Sequence, residues 1–187
     1  MRIATVLFFS ALLMAFSQPD EPLDSFVKTQ LETYEVIAPT TSFNVTYALE
    51  RYQLHREKTS AALKSLNSHS NENSYNLTVY SRIYLWQFDF SSNERCSQAI
   101  DSLMNCFPID CTPIEKYENT PMKTPPSIWV LNKNSIYIAQ TACEQVDSNW
   151  VTFKHEFVER LATDQAPVIV TDCGRLSWTT KEGFTRN

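Results

Sequence analysis

The chain has 187 residues, of which 43% are apolar, 12% aromatic and 20% charged, and its net charge at neutral pH is −5. That apolar content excludes a disordered polymer, and an acidic chain with no basic stripe argues against a nucleic-acid partner. Only two glycines occur, where average usage of about 7% would give about thirteen, so glycine-rich phosphate cradles and tight nucleophile elbows lack their material.

The first segment, MRIATVLFFSALLMAFS, has Arg2 as a basic start, an apolar run from Ile3 to Met14, and Ala15 and Ser17 at small-residue positions. It reads as a signal peptide over residues 1–17, too short in its apolar run to span a bilayer. The expected product, residues 18–187, is secreted or periplasmic, with no membrane segment after cleavage. Loss of Arg2 takes its net charge from −5 to −6. Asn44 and Asn76 begin N-x-Thr tripeptides that a eukaryotic secretory pathway would glycosylate.

Residues 18–74 read as an N-terminal helical segment with a polar linker. Leu23, Phe26, Val27, Leu31 and Tyr34 recur at helical steps and predict a helix ending before Pro39. Val45, Ala48, Leu49, Tyr52, Ala62, Leu63 and Leu66 predict a second helix, closed by the polar stretch Asn67 to Ser74.

Residues 75–187 change period and are expected to form an α+β sandwich, one folded unit with the helical segment. Tyr80, Tyr84, Trp86, Phe88 and Phe90 alternate with Val79, Ile83 and Leu85 in a long strand. Ser91 to Asn93 offer N-caps to a helix carrying Cys96, Ala99, Ile100 and Leu103. After a proline-rich stretch, SIWVL and SIYIAQT form a hairpin about Asn-Lys-Asn, a helix holds Trp150, Phe157 and Leu161, and PVIVT is a last strand. This strand-helix-strand-strand-helix-strand order is that of a ferredoxin-like βαββαβ sandwich, an antiparallel sheet with helices on one face; another α+β sandwich is the alternative.

The cysteines at 96, 106, 111, 143 and 173 suit disulfides in an oxidising compartment, with one left over. No C-x2-C pair or suitably spaced histidine suggests zinc, and neither metal nor cofactor is expected. If the first and third strands run parallel and side by side, Cys96 and Cys143 follow neighbouring ends and can pair, leaving Cys173 for Cys106 or Cys111. A local Cys106–Cys111 loop with Cys173 free is the rival.

Several groups could carry chemistry. Cys173, His155 and Asp172 would make a Cys-His nucleophile, but a bridge is the simpler reading of Cys173. His155 and Glu159, four residues apart, are too few to hold a metal. Asp89, between Phe88 and Phe90, and Glu144 are the acid–base candidates among acids that also include Glu94, Glu115 and Asp147. Tyr80, Tyr84, Trp86 and Phe88 would make a binding face only if the aromatic side of the strand is open; a packed core is the plainer expectation. These readings point to a disulfide-stabilised binding or interaction domain for a protein or small ligand rather than an enzyme. The competing readings are a small secreted enzyme using acids and an assembly component joined through the odd cysteine.

Overall fold

The computed structural model describes residues 22–39, 46–51, 53–70, 78–107 and 111–185. The signal segment and the sequon residues Asn44 and Asn76 lie outside them. In chain order the elements are α1 (Pro22–Thr29), β1 (Tyr34–Ile37), α2 (Tyr47–Arg51), β2 (Glu57–Ser65), β3 (His69–Ser70), β4 (Thr78–Val79), β5 (Arg82–Asp89) and α3 (Asn93–Asn105). They continue with β6 (Thr120–Pro121), β7 (Ser127–Leu131), β8 (Ser135–Gln140), a 3-10 turn (Cys143–Gln145), α4 (Ser148–Leu161), β9 (Pro167–Asp172), β10 (Arg175–Thr180) and α5 (Lys181–Thr185).

Every residue of β7, SIWVL, is buried. A continuous apolar run of this kind has to be covered on both faces, and it is. Ile128 and Val130 join Phe26 of α1 and Phe153 and Phe157 of α4 in one layer, while Trp129 and Leu131 join Leu49 of α2 and Ala99 and Leu103 of α3 in the other. The same alternation runs through β8 and β9, where Tyr137, Val168 and Val170 face α4 and Ile136, Ile138 and Ile169 face α3. The result is a mixed α and antiparallel β architecture, with the sheet between two helical layers.

The sheet order is β1-β2-β5-β8-β7-β9-β10-β6, and neighbouring strands are antiparallel throughout. The expected ferredoxin-like arrangement is not supported, and neither is the expected pair of N-terminal helices. The first helix stops at Thr29, and Tyr34–Ile37 turns into an edge strand on β2. Residues 57–65, EKTSAALKS, have helix-forming composition but pair along β5 from Glu57 opposite Asp89 to Lys64 opposite Arg82. Tertiary pairing overrides local propensity there, because Ala62 and Leu63 bury opposite sides of the strand. With β2 on one flank of β5, the last strand of the expected order, β9, pairs with β7 instead. Helices accordingly cover both sheet faces rather than one.

After β2, β3 and β4 pair as a small antiparallel ribbon. At the other end of the chain, β10 and α5 extend the fold beyond PVIVT. No helix among the described residues is long and apolar enough to cross a membrane.

Candidate functional site

The acids singled out in the sequence do not meet. Asp89 ends β5 opposite Ser135, the first residue of β8, whereas Glu144 follows the far end of β8. At about 3.4 Å per residue the strand between them holds the two roughly 17 Å apart, at opposite rims. Asp89 accepts a 2.6 Å hydrogen bond from Gln87 Nε2, and Gln87 Oε1 accepts one from the Leu23 backbone N–H at the start of α1. Its carboxylate thus helps fix α1 on the sheet, and Glu144 is exposed.

Strand direction also decides the cysteines. β5 and β8 pair but run antiparallel, so Cys96 and Cys143 sit at opposite rims and the expected bridge between them does not form. β8 and β9 are both antiparallel to β7, hence parallel to each other, and their ends share a rim. Cys143 and Cys173 follow those ends and are bonded, with 5.8 Å between Cα atoms. Cys106 and Cys111 close a local loop, and Cys96 is the free, buried thiol. Cys173 is therefore not available as a nucleophile beside His155. His155 packs on Phe184 of α5, Asp172 pairs with Lys154 at 3.6 Å, and no trio of potential metal ligands gathers among the described residues.

The aromatic stripe is mostly covered. Phe88 is 0% exposed, Phe90 5% and Tyr84 8%, with Trp86 half-buried and stacked on Tyr84. Phe88, Phe90 and Trp86 pack in the layer beneath α2 and α3. Tyr80, past the covered stretch, is exposed with the Lys64 ammonium over its ring.

A different feature is open. Between α3, the β7–β8 turn and β10 lies a recess of about 320 Å³, at the lower end of the ~300–1,000 Å³ of small-molecule sites. Helical periodicity places Asn93, Cys96, Ser97 and Ile100 on the side of α3 that borders it. Leu131 at the end of β7 and Pro167 at the start of β9 complete an apolar floor. Trp178 of β10 makes a wall, with Tyr117 against it at 5.3 Å between ring centroids. Tyr117 has φ 69°, a left-handed conformation that costs a bulky residue about 1–3 kcal/mol and persists only where its surroundings hold it. The indole Nε1 of Trp178 is buried without a hydrogen-bond partner among the described residues.

Lys116 and Lys133 stand at the mouth, and Lys116 is paired with Asp101 at 2.7 Å. Cys96 lies on the α3 side, where its thiol donates to the Asn132 carbonyl at 3.4 Å. Burial pushes that thiol from 9.0 up to about 11, so it stays protonated and unreactive near neutrality.

Periodicity marks Cys96 and Ile100 as a helical stripe, but Tyr117 falls in an irregular proline-rich stretch and Trp178 beyond PVIVT, the last strand that the sequence pattern predicts. The alternation in RLSWTT, after the Asp172–Gly174 turn, is the signal that would have found β10 and its tryptophan. The chain matches no protein-family model, and no curated protein or solved structure is significantly similar to it.

Proposed function

We propose that this chain is an exported, disulfide-stabilised binding domain whose small-molecule ligand sits in the recess beside Trp178. The carrying observation is the recess itself: an apolar floor, an aromatic wall and a few polar groups at the mouth, which is the usual make-up of a ligand pocket. Of the groups that sequence offered for catalysis, Asp89 is hydrogen-bonded to Gln87 and Cys173 is bonded to Cys143. The assembly reading loses its support, because the odd cysteine, Cys96, is 1% exposed and not presented to another chain.

Export is tested by N-terminal sequencing of protein recovered from a secreting host, which should begin at Gln18. Binding is tested by amide chemical shifts of the mature, disulfide-bonded protein titrated with small aromatic compounds. Shifts should gather at Ile100, Tyr117, Lys133 and Trp178 and vanish in Ile100→Arg, whose long charged side chain obstructs the recess. Shifts elsewhere, or none, would overturn the reading.

A further inference from the structure

We infer that the recess selects an amphipathic anion, a small aromatic carboxylate whose ring lies against Trp178 and Tyr117 and whose charge meets Lys133. This rests on the binding role proposed above and adds the ligand's chemical class.

The chain carries 21 acids against 16 basic residues, yet the charged residues bordering this recess are Lys116 and Lys133. Lys133 also borders a neighbouring recess that holds Arg160 and Asp164, and three further recesses include acids: Glu144, Asp172, and Glu156 with Glu159. Lys116 is already neutralised by Asp101, which leaves the exposed Lys133 with no ion pair among the described residues.

Of the polar groups on the lining, the Lys116 and Lys133 ammoniums only donate, while Asn93, Ser97 and Tyr117 can both donate and accept. The Asn132 side chain is committed, its Nδ2 to the Leu161 carbonyl and its Oδ1 to the Thr163 N–H and hydroxyl, so it offers nothing to a cation. The Trp178 indole N–H is buried behind the wall, with no acceptor among the described residues. The recess also borders the first turn of α3, a helix of 13 residues whose N-terminal end is electropositive. Glu94 in that turn does not border the recess. A sugar would need polar partners across its whole body, and inorganic phosphate would leave the aromatic wall unused. An anion with a flat apolar body uses both halves of the site.

The test compares two probes of nearly equal shape, 1-naphthaleneacetate and its uncharged amide, 1-naphthaleneacetamide, by titration calorimetry on the mature oxidised protein. The carboxylate should bind about five- to tenfold more tightly. That advantage should disappear in Lys133→Gln and shrink as salt is raised, while the amide's affinity stays the same in both cases. Lys133 is an exposed turn residue, and an unchanged circular dichroism spectrum would confirm that the variant folds. Equal affinity for the two probes, or an advantage that survives Lys133→Gln, would overturn the anion inference while leaving the recess as a binding site. Binding of neither probe would overturn both readings.

Discussion

Tyr34 is the residue at which burial and titration are most closely joined. Its ring is 2% exposed and edge-on to Phe153, which itself packs with Phe26 and Phe157, but its hydroxyl has no hydrogen-bond partner among the described residues. Burial, with Asp147 and Glu156 nearby, pushes its pKa from the ordinary 10.0 up to about 12. The folded phenol therefore keeps its proton where the unfolded one loses it. Between pH 10 and about 12 the unfolded state binds fewer protons, so stability falls as pH rises through that window. Tyr34→Phe keeps the ring contacts and removes the unpartnered hydroxyl. It should raise stability by about 1 kcal/mol at pH 7, and by more at pH 11, in urea unfolding followed by circular dichroism. A loss at pH 7 would mean that the hydroxyl contributes a bond after all.

At the scale of elements, the β7–β8 turn does more than reverse the chain. Asn132 binds the Leu161 carbonyl at 2.8 Å through Nδ2 and accepts from the Thr163 N–H at 3.1 Å through Oδ1, so one side chain ties the hairpin to the C-terminal end of α4. Asn132→Ala should cost about 2 kcal/mol by leaving those groups unpaired, visible as a lower urea midpoint. Asn132→Asp, which sets a carboxylate oxygen against the Leu161 carbonyl at the electronegative end of α4, should cost at least as much. What was legible in the sequence follows the same physics. The hairpin, α3 with its Ser92 cap, α4 with its Asp147 cap and β9 could be read because unbroken apolar runs and caps leave few alternatives. EKTSAALKS could not be read correctly, since its alanines, leucine and lysines favour a helix until β5 supplies a partner. The recess was illegible because α3, the Tyr117 loop, the β7–β8 turn and β10 bring its residues together from far apart in sequence, and no local period encodes that meeting.

For the whole molecule, the two disulfides divide stability from the geometry of the recess. Cys143–Cys173 spans a separation of 30 residues and pins the start of α4 to the β9–β10 turn, while Cys106–Cys111 spans 5 and closes the loop after α3. On loop-closure entropy the first should contribute about 3.5 kcal/mol and the second about 2 kcal/mol. Both are large against the roughly 5–15 kcal/mol that separates a folded domain from its unfolded chain. Their places in the fold make the consequences differ in kind. Cys143–Cys173 lies at the rim where β8 and β9 end, whereas the recess is at the other rim, by Leu131 and Pro167. Cys106–Cys111 immediately precedes Ile114, whose N–H bonds the Met104 carbonyl at 2.8 Å, and then Lys116 and Tyr117 in the recess wall. The Cys143→Ser/Cys173→Ser variant should therefore lose more stability in urea yet keep amide exchange at Ile114 and shifts at Tyr117 unchanged under native conditions. The Cys106→Ser/Cys111→Ser variant should lose less stability but exchange faster at Ile114. The reverse pattern would contradict the pairing and, with it, the parallel relation of β8 and β9 on which the pairing depends.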